Sequence, residues 1–468
     1  MYNRSLLSTY KDNIAAITDD GISVKYGDIL NFSDLLYSKI GHRCLIFALC
    51  QNRPDSLQGY ISFISNRVVP LLLDSSLDGE LLLNLIMTYK PEYIWMPSSH
   101  LSEFPGALIV FESVEYCLIK LEHDNVFPLH DDLALLLTTS GSTGSPKLVR
   151  LTYENIEANA RSIAEYLSIT VNDRPITTMP MNYSFGLSII NSHFLVGASV
   201  LLTSKTLMEK EFWSFLKREK ASTMSGVPYT YEILKKLRIF QMDLPSINYM
   251  TQAGGKLNPD LNREFAEWAK YSNKRFFVMY GQTEATARMS YLPSEYALSK
   301  LGSMGRAIPG GIFRIIDDNN NIIEEPEVMG ELVYEGRNVS HGYAECGEDL
   351  VKEDENHGTL ITGDLAKRDS DNFYYIVGRK KRFIKLFGNR VNLDETERLL
   401  KNIISDCACI GEDDKMIVYI NDHSREEEVR EYLAKKTGIN IRGFSIKYID
   451  KIPKNTSGKT IYSGLSLV

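Results

Sequence analysis

A run of small hydroxyl and glycine residues is the first stretch of this chain with the composition of a ligand-binding loop. It reads Thr138-Thr139-Ser140-Gly141-Ser142-Thr143-Gly144-Ser145-Pro146-Lys147 and follows the apolar residues 133–137. Gly141 and Gly144 allow the backbone to approach a ligand closely, and the N–H groups freed there can surround phosphate oxygens. Lys147 adds a positive charge. The pattern predicts a phosphate-binding loop rather than a flexible linker, because linkers seldom leave a buried strand directly.

The spacing of this loop excludes a Walker A motif, in which serine or threonine directly follows the lysine. Here Pro146 precedes Lys147 and Leu148 follows it. A kinase or GTPase of the phosphate-loop type is therefore excluded.

A second candidate site follows the apolar residues 276–279 and reads Tyr280-Gly281-Gln282-Thr283-Glu284. It lies at a predicted strand end, where ligands bind in open α/β sheets. Tyr280 offers a ring face for a purine, and Thr283 offers a hydroxyl for a phosphate oxygen. A carboxylate beside a polyphosphate requires a cation between them, so the pattern predicts Mg²⁺ at Glu284.

Two further stretches carry charged residues near tight turns. In Thr362-Gly363-Asp364 the carboxylate could accept hydrogen bonds from both ribose hydroxyls, although an aspartate that caps a turn is a common alternative. Residues 379–385 hold five basic residues in seven. A nucleic-acid patch is disfavoured there, because the run is short and the chain is acidic.

Composition and charge limit the class of protein. The chain has 468 residues, a net charge of −8, 44% apolar residues and 24% charged residues. This length allows two to four domains, and the charge argues against a nucleic-acid surface. The sequence shows neither a membrane-span run nor a signal-peptide pattern. Six scattered cysteines without metal spacing predict reduced thiols in a cytoplasmic protein.

The elements that must position these residues alternate between strand-like and helix-like segments. The predicted strands of the first 130 residues are Cys44–Cys50, Val68–Leu73, Tyr93–Met96 and Leu108–Phe111, and the predicted helices are Ser56–Ser65 and Asp78–Tyr89. This alternation favours βα units with a parallel sheet. Residues 330–343 predict a small β-structure, and the last 88 residues predict a small α+β domain.

Taken in order, these stretches resemble the signatures of the adenylate-forming superfamily, which includes acyl-CoA synthetases, luciferases and the adenylation domains of peptide synthetases. The resemblance extends from the strand near Pro70 to the closing Pro453-Lys454-Asn455-Thr456-Ser457-Gly458-Lys459. It implies an α/β fold with a large N-terminal domain of βα subdomains over 1–380. A hinge would join this domain to a mobile α+β domain over 381–468.

The resemblance also implies roles for individual residues. Lys459 would be the catalytic lysine and would act with Thr283 and Glu284. ATP would be bound by Thr139, Ser140, Gly141, Ser142, Thr143, Gly144, Lys147, Gly254, Gly255, Tyr280, Gly281, Thr283, Asp364 and Arg379. Lys381 would be the pivot between the domains, and Lys385 and Gly388 would serve the second half-reaction.

The composition of an aromatic segment around Tyr183 fits a core cluster as well as a pocket wall, and the resemblance favours an acyl pocket. The residues assigned to this pocket are Tyr183, Ser184, Phe185, Gly186, Ser225, Ala253 and Met279. Gly186 is predicted to leave volume that a substrate can fill. Many relatives carry histidine where this chain has Tyr183, and relatives that activate α-amino acids carry an aspartate nearby. This chain has neither, which disfavours a standard α-amino acid as substrate.

The expected activity is an ATP- and Mg²⁺-dependent ligation of a small carboxylic acid to the thiol of CoA, through an acyl-adenylate. A separate carrier protein with a phosphopantetheine arm is the alternative acceptor. A degenerate relative that binds nucleotide without catalysis is the alternative of another class.

Overall fold

The computed structural model describes residues 4–138, 147–387, 389–454 and 460–466, with the backbone alone at 389 and 390. Internal contacts divide them into two compact units. The first unit comprises residues 4–138, 147–313 and 334–360, and the second comprises 314–333 and the described residues from 361 onward.

An eight-stranded sheet forms one layer of the first unit. In spatial order its strands are Tyr343–Ala344, Leu148–Thr152, Leu133–Thr138, Val69–Asp74, Leu45–Cys50, Tyr93–Pro97, Tyr116–Lys120 and Leu108–Glu112. The four central strands, from Leu133–Thr138 to Tyr93–Pro97, are parallel. They are apolar almost throughout, as expected for strands that are covered on both faces.

One sequence-based expectation about this sheet was wrong, and one strand was missed. Leu108–Glu112 is not part of a βα unit but forms an antiparallel hairpin with Tyr116–Lys120. Too few residues separate the two strands for a parallel crossover, which needs a dozen or more. Leu148–Thr152, which was not predicted, is an antiparallel strand between the predicted phosphate loop and the following helix.

A nine-stranded sheet forms a second layer of the first unit. In spatial order its strands are Arg306–Ala307, Ser290–Leu292, Arg275–Tyr280, Tyr249–Gln252, Thr223–Gly226, Pro175–Ile176, Val200–Leu202, Ile14–Thr18 and Ser23–Lys25. The strands from Arg275–Tyr280 to Ile14–Thr18 run parallel.

Helices cover both sheets. Those of the first unit are Arg4–Thr9, Tyr26–Ile40, Pro54–Ser65, Gly79–Tyr89, Tyr153–Leu167, Ser184–Leu195, Lys210–Arg218, Pro228–Lys236 and Pro259–Tyr271. Pro54–Ser65 and Ser184–Leu195 are buried at every residue except the last of each. Their side chains share one core cluster with strands of both sheets, so these two helices form the centre of the first unit. Helices that are buried on all sides occupy such a position.

The second unit contains most of a four-stranded sheet and a separate C-terminal core. The sheet has strands Gly311–Ile316, Gly330–Gly336, Thr359–Arg368 and Tyr374–Arg379. The C-terminal elements are strands Phe383–Leu386, Asn389–Asn392, Cys407–Glu412, Lys415–Ile420 and Phe444–Tyr448 and helices Leu393–Leu400 and Glu426–Thr437.

The predicted fold class, α/β with parallel sheets and a small α+β C-terminal part, is confirmed. The predicted boundary at 380 and 381 stays a prediction, because it concerns motion. The contacts group residues 361–380 with the C-terminal core. None of the described helices is both long enough and apolar enough to cross a membrane.

Candidate active site

The turn after strand Arg275–Tyr280 is held by close backbone contacts. A Cβ at Gly281 would lie 1.7 Å from the carbonyl oxygen of Ala287, so only glycine fits. The N–H of Met289 donates to the carbonyl of Tyr280 at 2.9 Å, which closes the turn. Ala287 has a φ of +110°, a strained value for a residue with a side chain. Such strain persists only where the surroundings enforce it, and it is found most often at functional sites.

A second segment braces this turn from the side. The Nδ2 of Asn338 donates to the carbonyl of Ala285 at 2.8 Å, and Thr286 Oγ1 donates to the carbonyl of Asn338 at 2.7 Å. The N–H of Ser340 donates to the carbonyl of Glu284 at 2.8 Å. The backbone that carries the predicted catalytic carboxylate is therefore fixed on both sides.

The structure brings the predicted phosphate and acyl residues together at Thr283. Its Oγ1 lies 3.1 Å from the Oγ of Ser184, which is the first residue of helix Ser184–Leu195. A hydroxyl pair at a helix N-terminus is a polar site that favours anionic groups.

Glu284 and Lys147 are linked through an aromatic residue. Tyr343 donates its hydroxyl to Oε1 of Glu284 at 2.6 Å, and Lys147 Nζ lies 5.7 Å from the centre of the Tyr343 ring. Lys147 Nζ also lies 2.5 Å from Oε1 of Glu345. Both members of this ion pair are about half exposed, so the pair is weak and its lysine can exchange partners.

Arg150 lies on strand Leu148–Thr152 and holds the segment from His341 to Glu355 against it. Its side chain is 1% exposed. The guanidinium donates to four main-chain carbonyls and one carboxylate, which belong to His341, Tyr343, Lys352, Glu353 and Glu355. A buried charge whose three nitrogens all donate hydrogen bonds gives a rigid support, so Arg150 fixes the main chain at His341 and Tyr343.

The predicted acyl-pocket residues share one region of the core. Phe185, Ala253 and Met279 belong to a single buried cluster. Ser225 is buried beneath it and accepts a hydrogen bond from Thr251 at 2.7 Å. Their role in binding an acyl group stays a prediction.

Gly186 is a glycine for a reason other than the predicted one. A Cβ at this position would lie 2.2 Å from the carbonyl oxygen of Pro180. The absent side chain therefore lets the helix approach the preceding loop, and the volume is not free for a substrate.

Tyr183 and Gly254 form a close contact in the same region. Gly254 has a φ of +80°, and a Cβ there would lie 2.8 Å from the hydroxyl of Tyr183. A Cβ at Gly255 would approach Cγ of Pro228 to 3.1 Å. Burial raises the pKa of Tyr183 to about 12, so its hydroxyl stays neutral and can donate a hydrogen bond.

Asp364 and Arg379 face each other across two strands of the second unit. They are register partners, and Arg379 Nε lies 3.2 Å from Oδ1 of Asp364. The carboxylate is 4% exposed and the guanidinium 64% exposed. A buried acceptor beside an exposed cation suits a ligand with hydroxyl and phosphate groups.

The predicted pivot lies between two anchored neighbours. Lys381 is exposed in the short turn Lys380–Arg382. Lys380 pairs with Glu331 at 2.8 Å, and Arg382 pairs with Glu397 at 2.7 Å. Lys385 has an exposed side chain on the next strand, and its N–H donates to Asp413.

Several predicted site residues lie outside the described residues: Thr139, Ser140, Gly141, Ser142, Thr143, Gly144, Gly388 and Lys459. Their roles stay predictions. Four further residues lie in this region without having been predicted from the sequence: Arg150, Tyr343, Glu345 and Arg288. Tyr343 carried a signal, since it ends the predicted β-structure over 330–343, whereas the others could be found only through their tertiary contacts.

Comparison with known proteins decides the family. Residues 83–344, more than half of the chain, match the family described as AMP-binding enzyme. The chain belongs to this family. The resemblance found in the sequence is thereby confirmed.

Relatives with known activities cover the chain to different extents. The chain is 26% identical to the 2-succinylbenzoate–CoA ligase of Oceanobacillus iheyensis over 97% of its own length and 96% of that protein. It is 28% identical to luciferin 4-monooxygenase of Photuris pensylvanica and 29% identical to the peroxisomal OPC-8:0-CoA ligase 1 of Arabidopsis thaliana. The chain spans 65% and 64% of the length of these two relatives.

Solved structures share the fold of the AMP-binding family along nearly the whole chain. The o-succinylbenzoate CoA synthetase of Bacillus subtilis in complex with the acyl-adenylate OSB-AMP gives a TM-score of 0.80 at 22% identity and covers 98% of this chain and 97% of that one. The McyG adenylation–carrier protein with phenylalanyl-adenylate gives a TM-score of 0.78 at 20% identity and covers 98% and 82%.

Proposed function

We propose that this chain is an ATP-dependent, AMP-forming carboxylic acid–thiol ligase with CoA as its acceptor. The observation that carries the proposal is the braced turn at Thr283 and Glu284, which Tyr343 connects to Lys147 within the first unit. Membership of the AMP-binding family and the end-to-end match with a CoA ligase support the same activity.

In the first half-reaction a carboxylate oxygen of the acid attacks the α-phosphorus of ATP. The bond from this phosphorus to the bridging oxygen breaks, and pyrophosphate leaves with the electron pair. An anion attacks a polyanion here, so the site must supply fixed positive charge. Lys147 and Lys459 have this role, and Thr283 donates its hydroxyl to a phosphate oxygen.

Glu284 fits the requirement for a magnesium ligand. Its Oε1 accepts the Tyr343 hydroxyl, whereas Oε2 accepts no hydrogen bond from the described residues. A hard carboxylate oxygen fixed on one side is the donor that Mg²⁺ prefers, with substrate phosphates completing the shell. When bound, the ion neutralises charge on the leaving pyrophosphate.

Asp364 and Arg379 serve the nucleoside in this proposal. The buried carboxylate accepts hydrogen bonds from the ribose hydroxyls, and the exposed guanidinium contacts ribose or phosphate. Tyr280 offers its ring to the adenine, and Gly254 and Gly255 offer flat peptide planes to the same base.

In the second half-reaction a thiol loses its proton and its sulfur attacks the acyl carbon, and AMP leaves with the electron pair of the bond between that carbon and the phosphate oxygen. Lys459 serves the first step and Lys385 the second, so the C-terminal domain has to move between them. The anchored neighbours Lys380 and Arg382 leave Lys381 as the residue whose dihedral angles change.

CoA is favoured over a carrier protein because the full-length match is to a CoA ligase. The structural likeness to an adenylation–carrier protein keeps the second acceptor as the alternative. A degenerate non-catalytic relative is disfavoured by the joint presence of Lys147, Glu284, Asp364, Arg379 and Lys459. The cytoplasm is the proposed compartment, since all six cysteines are free thiols and five of them are buried.

Product analysis tests the proposal. The protein is incubated with ATP, Mg²⁺ and a panel of short, hydroxy, aryl, fatty and amino acids, each with and without CoA. AMP, pyrophosphate and one acyl-CoA are the expected products. A trapped adenylate that CoA does not consume would indicate a carrier protein, and ADP with phosphate would contradict the proposed chemistry.

A further inference from the structure

Arg288 is a buried cation beside the predicted acyl pocket, and the proposed reaction steps do not use it. The residue is 2% exposed. Its carbonyl accepts hydrogen bonds from Nδ2 of Asn159 at 2.8 Å and from Nδ2 of Asn338 at 3.2 Å. Asn338 also donates to the carbonyl of Ala285. The backbone of Arg288 is therefore fixed to the same turn that carries Thr283.

The recorded contacts of the guanidinium are all with neutral groups. Nε donates to Oγ of Ser188 at 3.0 Å, and Nη1 donates to the hydroxyl of Tyr166 at 3.2 Å. Nη1 also lies 3.5 Å from Sδ of Met279, and Cζ lies 5.1 Å from the centre of the Phe185 ring. Two of these four residues, Phe185 and Met279, belong to the predicted acyl pocket.

The positive charge of Arg288 has no counter-ion within the described part of the chain. No carboxylate there forms an ion pair with it at 4.0 Å or less. Asp173 is a buried carboxylate of the same unit, but its oxygens accept hydrogen bonds from the N–H of Thr170 at 2.8 Å and from Oγ of Ser222 at 2.9 Å. Asp173 is therefore held by neutral donors and forms no ion pair with Arg288.

One donor atom of the guanidinium remains available. Nη2 of Arg288 makes no hydrogen bond to a described residue. It also does not belong to the unpartnered side-chain atoms that are fully buried. The small accessible area of this residue therefore includes Nη2. A space that a water molecule can touch there is also open to a ligand oxygen.

A buried charge without a counter-ion is unfavourable, and it is stabilised when an anion pairs with it at hydrogen-bonding distance. The guanidinium fork matches a carboxylate, which can accept from it with two oxygens. Arg288 contacts the ring of Phe185. The preceding residue, Ser184, has its hydroxyl within hydrogen-bonding distance of the Thr283 hydroxyl. An anion at Arg288 would thus occupy the distal end of an acid whose reacting carboxylate lies at Thr283.

We infer that Arg288 binds a second carboxylate on the acid substrate, and that the enzyme therefore selects dicarboxylic acids over monocarboxylic acids of the same size. This inference rests on the proposed ligase function and specifies its substrate class. In this role Arg288 determines specificity and takes no part in bond formation.

A purely structural role makes a different prediction. Arg288 also joins helix Tyr153–Leu167, through Tyr166, to helix Ser184–Leu195, through Ser188. If it only held these helices together, its loss would lower the rate with every acid by the same factor.

The test uses pairs of acids in which a methyl group replaces the second carboxylate. The pairs are succinate and butyrate, glutarate and pentanoate, and phthalate and 2-methylbenzoate. Acid-dependent pyrophosphate release gives kcat/KM for each acid with the wild type, Arg288→Met, Arg288→Lys and the surface control Arg161→Met. Arg161 lies on the helix that carries Tyr166 and is 64% exposed.

For at least one pair, the wild type should prefer the dicarboxylic acid by about 100-fold or more, since a site built around a polar group rejects an analogue that lacks it. Arg288→Met should abolish that preference, mainly through KM of the dicarboxylic acid. Arg288→Lys should retain part of it, and Arg161→Met should match the wild type. Equal use of both members of every pair by the wild type would overturn the inference while leaving the ligase function intact.

The wild-type preference decides the question even if Arg288→Met fails to fold. If the wild type releases no pyrophosphate with any acid, the ligase function itself fails. Calorimetry with succinate, glutarate and phthalate in the presence of a non-hydrolysable ATP analogue then tests Arg288 alone. Binding of a dicarboxylate but not of its methyl counterpart would support the inference, and binding of neither would overturn it.

Discussion

The turn at Gly281 and the strand pair at Asp364 hold their functional side chains by different means. The turn has no room for a side chain at its glycine, and it is braced by the distant residues Asn338 and Tyr343. Asp364 and Arg379 need only the register of two adjacent antiparallel strands. A Cβ at Gly363, next to Asp364, would meet nothing within 4 Å.

This difference shows that a short motif can be sufficient to form a site, as at Asp364, or can require contacts with distant residues, as at Gly281. A register pair is rebuilt whenever its hairpin forms, so substitutions beside it are tolerated. The turn at Gly281 also relies on hydrogen bonds from distant segments. Function at the turn should therefore be sensitive to substitutions that touch no ligand.

Adding a methyl group to each glycine gives the largest contrast. Gly281→Ala places a Cβ against a main-chain carbonyl that cannot move easily, and we expect a loss of about 3 kcal/mol or more in the free energy of unfolding. Gly363→Ala meets open space and is strained only by its φ of +70°, which costs about 1–2 kcal/mol. Urea unfolding of both variants measures this, and equal midpoints would contradict the comparison.

Removing the carboxylate of the strand pair should weaken nucleotide binding and leave stability largely intact. Asp364→Asn loses a charge-assisted acceptor, so KM for ATP should rise by about 10- to 100-fold while kcat changes little. Glu327→Gln is the control, since this residue forms an exposed pair with Lys367 on the same sheet. A fall in kcat at unchanged KM would mean that Asp364 does not bind the ribose.

Acid should destabilise the first unit through His193. This ring is buried, its Nδ1 bonds the carbonyl of Ile189 at 2.8 Å, and its Nε2 has no partner among the described residues. Burial lowers its pKa from 6.5 to about 4, so the unfolded chain binds a proton between these values and the folded chain does not. Stability is thus full above pH 6.5 and falls as the pH decreases towards 4.

At pH 5 the loss from His193 should be about 2 kcal/mol. His193→Gln should unfold with a shallower dependence on pH between 6.5 and 4 than the wild type. His423→Gln, at an exposed position of the second unit, should leave the dependence unchanged. Parallel pH profiles for the wild type and His193→Gln would rule out this assignment.

The smallest expected effect is on the brace of the magnesium ligand. Tyr343→Phe removes the hydroxyl that orients Glu284 but keeps the ring near Lys147. The Mg²⁺ concentration for half-maximal rate should rise by about 10-fold, as is typical when a supporting hydrogen bond to a metal ligand is lost. Tyr448→Phe, on the second unit, is the control, and an unchanged Mg²⁺ requirement for Tyr343→Phe would separate the tyrosine from the metal site.

The sequence was sufficient to predict the buried parallel strands and the strand-end position of Tyr280 to Glu284, because apolar runs and glycines are local signals. Lys147, Thr283 and Asp364 were found in the same way. The residues that support the site could not be predicted from the sequence. Arg150 and Arg288 are ordinary arginines there, and only the tertiary structure buries them. Gly186 was misinterpreted for the same reason, since the carbonyl that fills its space belongs to Pro180 in the preceding loop.

The most direct test of the proposed reaction is acid-dependent exchange of labelled pyrophosphate into ATP without CoA. The wild type should catalyse this exchange only with Mg²⁺ and a suitable acid. Lys459→Ala should lower the exchange by at least about 100-fold and retain thioester formation from a supplied acyl-adenylate. Lys381→Pro should exchange normally and fail in thioester formation. Exchange that needs no acid, or equal loss of both half-reactions in Lys459→Ala, would contradict the mechanism.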